Sequence, residues 1–386
     1  MRRQISLALT LLALTTSLIA CGDDAVPSDP TSDPQDPTTL PLLPAGDHPS
    51  LVIAFEALPP AVDVAARTRW NEAVAAGMRV GRVHLDWASV EPDSGQFEPE
   101  ELREALVRLQ EDGLAPLVAL YAVDSGGPTL PADLQARVEA GLEIGAPVVL
   151  VRYRALLDWA VPMIMAHGGW GLLVANEVDG HILDGSMAAV DVAHFYRNAR
   201  DHTHTLAPAL AVSATHTTDG PLAGAPHHAE LIDALDFASF NYYPLDPGTL
   251  RLIEPTAARV ATDMDAFVVA AADKPVVFQE LGCPAGYAED SLIGSTPEQQ
   301  RRFFEHAFAA MAAEPRIRAA FVFQLVDWSQ ELFEGQYGDV PWEEGVPQVF
   351  VDRFEEWLLT TGLMAYDTGT TRPAWDVFLE AVVAAR

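Results

Sequence analysis

Eight short apolar runs separated by longer amphipathic segments constrain this chain more than any other feature. The runs are "SLVIAFEA" (50–57), "GMRVGRVHLDW" (77–87), "APLVALY" (115–121), "GWGLLVAN" (169–176), "ALAVSAT" (209–215), "LDFASFNYY" (235–243), "KPVVFQEL" (274–281) and "AAFVFQLVDW" (319–328). Between them lie helical patterns such as "PEELREALVRLQEDG", "VDVAHFYRNARDHTHTL" and "TPEQQRRFFEHAFAAM"; in the last, Thr296 can cap the helix and Pro297 can occupy its first position. Strands alternating with helices over about 340 residues predict an α/β fold, a (β/α)8 TIM barrel rather than an open doubly wound sheet. A Gly-rich phosphate fingerprint is missing after the first run, which counts against dinucleotide binding.

The segment before residue 48 has a different character. Met1-Arg2-Arg3 leads into "ISLALTLLALTTSLIA" and then Cys21, the pattern of an export signal. Leu18-Ile19-Ala20-Cys21 resembles the lipobox of bacterial lipoproteins, which implies cleavage before Cys21 and lipidation of its thiol. Residues 22–47 are rich in Pro, Asp, Ser and Thr, too poor in apolar surface to fold, and read as a tether. The expected organisation is a signal peptide (1–20), a lipidated Cys21 with its linker (21–47) and one globular domain (48–386). The protein is expected in the bacterial cell envelope, touching membrane through the lipid alone. Cys283 is the only other cysteine, so the core has to hold the fold without a disulfide. A net charge of −32 opposes nucleic acid and polyanionic substrates. A monomer is expected.

In a barrel, chemistry belongs at the C-terminal strand ends. The second run alternates Val83 and Leu85 with Arg82, His84 and Asp86, giving an apolar face for the helices and a polar face for the mouth. The sixth carries Asn241 and Tyr243 on one parity. The seventh groups Val276, Phe278 and Glu280, which leaves Gln279 facing outward unless the strand end curls. The fourth ends in Asn176-Glu177; both can serve the mouth only if the strand stops there, and Asp179-Gly180 reads as a turn. Two glutamates at the ends of runs four and seven, Glu177 and Glu280, suggest a carboxylate pair across a cleft, the arrangement that glycosidic-bond hydrolysis requires.

Together these segments resemble the clan-A glycoside hydrolases, over about residues 50–380. "ANE" (175–177) looks like the clan's strand-four motif and "VVFQELG" (276–282) like its nucleophile motif. "HLDWASVEPDSGQFEPEEL" (84–102), "DFASFNYYPL" (236–245), "FQLVDW" (323–328) and "TTGLMAYDTGTTRPAWDVF" (360–378) are similar to further segments in the same order. The resemblance implies a retaining enzyme with Glu177 as acid/base and Glu280 as nucleophile. It implies that Asn176 bonds a sugar 2-hydroxyl, Arg82 keeps Glu280 ionised, Tyr243 orients Glu280, and Trp328 stacks on a sugar ring. His84 and Trp87 are further candidate sugar contacts that could equally be wall packing; His216 has the position of a mouth residue, and Asn241 is a further candidate substrate contact. The chain departs from the clan at the end of run three, where Tyr121-Ala122 stands in place of a histidine. The substrate expected is a β-linked oligo- or polysaccharide, with no cofactor and no metal. Glu91, in "VEPDSG", reads as a turn-stabilising carboxylate, His202 and His204 as surface residues, and His227-His228 as lacking a metal-spaced partner set. A carbohydrate-binding barrel without catalysis is the alternative. A metal-dependent hydrolase is disfavoured by the lack of ligand-spaced histidines at strand ends.

Overall fold

A computed structural model describes residues 51–56, 63–222, 224, 225, 227–287, 290–338 and 346–385. The signal, Cys21 and the linker lie outside these residues. Eight parallel strands form the barrel: β1 (Val52–Phe55), β2 (Val80–Asp86), β3 (Ala115–Tyr121), β4 (Gly171–Asn176), β5 (Val212–His216), β6 (Ala238–Tyr242), β7 (Val276–Leu281) and β8 (Ile317–Val322). Hydrogen bonding runs in the order β1-β8-β7-β6-β5-β4-β3-β2. The circle is drawn together by a parallel bridge from Glu56, just past β1, to Arg82 on β2. The chain is thus a (β/α)8 barrel, with every strand run predicted from the sequence in place.

The helices form for local reasons. Asp63 caps Val64–Ala76 by accepting from the Ala65 N–H, and Thr256 caps Ala257–Ala270 through the Arg259 N–H. Thr296 accepts from the Gln299 N–H, with Pro297 at the first helical position of Pro297–Ala313. Strands buried on both faces are apolar toward this helix layer: Phe240 and Phe278 pack on Phe267, with ring centroids 5.0 and 5.1 Å away. Gly81 on β2 has no side chain because a Cβ would stand 2.4 Å from a Leu109 methyl on the covering helix Glu100–Glu111.

Strand seven differs from strict alternation. Phe240 pairs with Phe278, but the next residue, Asn241, pairs with Glu280, so one residue of β7 is taken up in a register shift. Phe278 faces the helices while Glu280 faces the mouth. Gln279 is not turned outward; its amide donates to Glu280 Oε1 at 3.2 Å. Strand eight is shorter than the run suggests and stops at Val322, which puts Asp327 and Trp328 in the following loop. That loop is fixed by Asp327, whose two oxygens take the Arg372 guanidinium, the Nη1 contact being 2.7 Å and the Nη2 contact 2.6 Å.

Candidate active site

Glu177 is the pivot. Strand β4 ends at Asn176, and Glu177 then adopts a left-handed backbone with φ 52° and ψ 27°. A non-glycine residue there costs about 1 kcal/mol, which its surroundings must offset. The Glu177 N–H donates to the Thr215 carbonyl of β5 at 2.8 Å, and Val178–Leu183 begins a helix directly after it. This break lets adjacent residues point the same way. Asp179-Gly180 is not a turn but lies inside that short helix. The Asp179 carboxylate accepts from the Thr217 N–H at 3.0 Å and the Thr217 hydroxyl at 2.8 Å, pinning the helix to the loop after β5.

The Asn241 amide on β6 joins the pair, donating to Glu177 Oε1 at 2.8 Å and to Asn176 Oδ1 at 3.2 Å. Asn176 in turn donates to Asp124 Oδ1 at 2.9 Å. Asp124 was not singled out from the sequence. It sits just past β3 in a two-residue ladder, Val123–Asp124 with Gly127–Pro128, where "VDSGG" reads only as a turn. Across the mouth, the Tyr243 hydroxyl donates to Glu280 Oε2 at 2.7 Å, and Arg82 reaches Glu280 Oε1 at 3.4 Å. The other arm of Arg82 pairs with Glu56, another residue the sequence did not mark.

The two carboxyls are similarly buried, Glu177 at 2 % and Glu280 at 5 % exposure, but their surroundings differ. Burial raises Glu177 well above the ordinary carboxylate range, and the neighbouring Glu280 charge raises it further; the Asn241 amide is the main opposing contact. Burial also raises Glu280, but the Arg82 cation and the Tyr243 hydroxyl pull it back. Arg82 is itself disfavoured by burial, yet Glu56 and Glu280 outweigh that and hold it protonated. Both carboxyls are thus raised, Glu177 the more, so of the two Glu177 holds its proton to higher pH.

A glycine makes the Tyr243 contact possible. A Cβ on Gly282 would lie 2.5 Å from the Tyr243 ring and 2.7 Å from the Phe323 carbonyl oxygen, which as backbone cannot easily yield. Gly282→Ala is therefore expected to push Tyr243 off Glu280 and mimic Tyr243→Phe. A hydrogen bond to a charged group is worth about 1.5–3 kcal/mol. Any turnover that this carboxyl pair supports should fall about 10- to 100-fold in both variants, with the acid limb of its pH–rate profile moved to higher pH. An unchanged limb in Gly282→Ala would separate the glycine from the carboxylate.

Other expected contacts fall elsewhere. His84 lies in the mouth beside Asp124 and Asp86, its ring 4.8 Å from that of Tyr121. Trp87 is fully buried behind β2; its indole N–H donates to Glu91 at 2.6 Å, and its ring meets Tyr153 of the helix Pro147–Ala166 edge-on. Glu91 also takes the Gly95 N–H and Arg152, so it ties the loop after β2 together. His216 is in the strand–helix layer, not the mouth. It packs edge-on against Tyr196 and His228, and burial lowers its pKa to about 4. Trp328 is buried, and one face is covered by Tyr337, nearly parallel at 17° and 5.9 Å between centroids. Tyr337 ends the helix Gln330–Tyr337 and is a further aromatic of the mouth that sequence patterning did not mark.

No family model matches the chain, and no curated protein matches it in sequence. Solved structures do match in fold. A variant of GH5_18 from Streptomyces cattleya, in complex with Manb1-4GlcNAc, superposes with TM-score 0.64 at 18 % identity, covering 86 % of this chain and 80 % of that one. The exo-beta-1,4-mannosidase Op5Man5 from Opitutaceae bacterium strain TAV5 gives 0.62 at 15 % identity, covering 86 % and 59 %. A family 39 glycoside hydrolase from Bacteroides cellulosilyticus WH2 gives 0.55 at 15 % identity, covering 87 % and 64 %.

Proposed function

We propose that the protein is a retaining glycoside hydrolase acting on a β-linked sugar. The observation that carries this reading is the pair of buried carboxyls at the ends of β4 and β7: burial raises both, but Arg82 and Tyr243 oppose the rise at Glu280, so Glu177 keeps its proton to higher pH than Glu280 does. Double displacement needs such a pair. Glu280 attacks the anomeric carbon while Glu177 gives its proton to the departing glycosidic oxygen, leaving a glycosyl ester on Glu280. Glu177, now ionised, takes a proton from water, which attacks the same carbon and frees Glu280. Asn176, held between Asp124 and Asn241, bonds the 2-hydroxyl in this reading. The fold neighbours support a carbohydrate substrate, one of them being a complex with Manb1-4GlcNAc. The same reading takes Cys21 as the lipid anchor and residues 22–47 as the tether holding the barrel at a bacterial envelope membrane.

Proton NMR of aryl β-glycoside hydrolysis tests the reaction: the β-anomer is expected first, with α appearing only by mutarotation. First-formed α-sugar would overturn retention. No turnover across a panel that includes β-linked oligosaccharides would leave the barrel a binding protein.

A further inference from the structure

Beside the carboxyl pair, three side chains converge with no direct hydrogen bond between them. His84 Nε2 is 3.6 Å from Asp124 Oδ2 and 3.8 Å from Asp86 Oδ1, and one ligand atom from each residue lies within 4.8 Å of the others. Among the described residues these three atoms, though buried, have no hydrogen-bond partner. The Asp124 side chain is 1 % exposed and that of His84 6 %. The Tyr121 hydroxyl, fully buried, also lacks a partner, and it senses the charges of Arg82, Asp124 and Glu280. Buried polar atoms without partners are costly and indicate an occupant.

The spacing narrows the choice. A direct imidazolium–carboxylate pair closes to about 2.7–2.9 Å. Atoms 3.6 and 3.8 Å apart, all three within 4.8 Å of one another, instead surround a gap of the size a divalent transition metal needs, whose bonds to imidazole nitrogen or carboxylate oxygen are about 2.0–2.2 Å. Asp86, on the rim with 25 % of its side chain exposed, supplies the third ligand atom. One imidazole with two carboxylates suits Mn2+ or Zn2+ rather than Ca2+.

We propose that His84, Asp86 and Asp124 form a binding site for one divalent transition-metal cation at the edge of the mouth. Asp124 then links the cation to the amide of Asn176 through its second oxygen. The sequence hides the set because His84 and Asp86 share a strand face while Asp124 follows the next strand. The site concerns binding and is independent of the glycosidase reading, so either can fail alone.

Equilibrium dialysis of the full chain against Mn2+ or Zn2+, with bound metal counted by mass spectrometry, tests it. Salt of about 0.15 M screens diffuse attraction to the acidic surface. One ion per chain is expected, with Asp86→Asn weakening binding at least about tenfold and Asp124→Asn abolishing it. Glu177→Gln should bind metal as the unmodified protein does. Circular dichroism verifies each fold, and the rim variant Asp86→Asn keeps the test open if Asp124→Asn does not fold. Absence of a stoichiometric ion, or equal binding by folded Asp86→Asn and the unmodified chain, overturns the proposal.

Discussion

In the proposed double displacement, Glu280→Ala is expected to abolish turnover of β-glycosides. Removing a nucleophile that acts as part of a unit costs on the order of 10^4- to 10^6-fold, equivalent to about 5–8 kcal/mol of barrier. The structure makes Glu280 the costly residue to lose because its neighbours are arranged around its charge. Arg82 reaches one oxygen, Tyr243 donates to the other, and Gln279 donates alongside. Neighbouring carboxylates are engaged elsewhere: Glu177 accepts from Asn241, Glu56 pairs with Arg82, and Asp124 accepts from Asn176. A fluorosugar that forms a slowly hydrolysed ester should label the unmodified protein, and peptide mass spectrometry should place the label on Glu280. A label elsewhere, or turnover that survives in Glu280→Ala, would remove it from the role. Stability bears on the same test. Arg82 would then keep only Glu56, and a buried charge robbed of a partner costs up to about 3–5 kcal/mol. Glu280→Gln, which retains an acceptor oxygen, should be equally inactive but more stable.

What the chain discloses by itself depends on whether neighbours in sequence or neighbours in space make the feature. The barrel is legible because each strand needs its own apolar run, and the positions of Glu177, Glu280, Arg82 and Tyr243 are legible because each closes or lines such a run. Asn176 and Glu177 pointing together is half legible: the strand had to end there, but the left-handed backbone at Glu177 that turns both inward depends on the Thr215 carbonyl of another strand. Parity fails where the backbone slips. The register shift between β6 and β7 carries Phe278 to the helices and Gln279 to Glu280, against strict alternation. His216 ends β5 in the right place, but its own parity directs it to His228 and the helix layer. Asp124, Glu56 and Tyr337 remain hidden because their partners are distant along the chain and no local pattern marks them.

Glu177 should reveal its role through the leaving group and through pH. General acid assistance contributes about 10^2- to 10^4-fold when the departing oxygen is a poor leaving group and little when it is already acidic. Glu177→Ala is therefore expected to lose that much on β-linked disaccharides while nearly sparing formation of the glycosyl ester from a dinitrophenyl glycoside. Added azide should then accelerate release and yield the β-glycosyl azide. The pH–rate profile carries a second signature. Burial, reinforced by the Glu280 charge, raises Glu177 above its ordinary value, so its proton persists at pH values where a surface glutamate is ionised. Turnover should rise with pH as Glu280 ionises and fall as Glu177 loses its proton; in Glu177→Ala the falling limb disappears and the rising one stays. Stability follows the same sign. A carboxyl raised on folding contributes in full below its unfolded value and loses that contribution as pH climbs through the folded one. Glu177→Gln should thus lose less stability on the alkaline side than the unmodified protein. Equal losses on disaccharide and dinitrophenyl substrates, with both limbs intact, would show that Glu177 is not the acid.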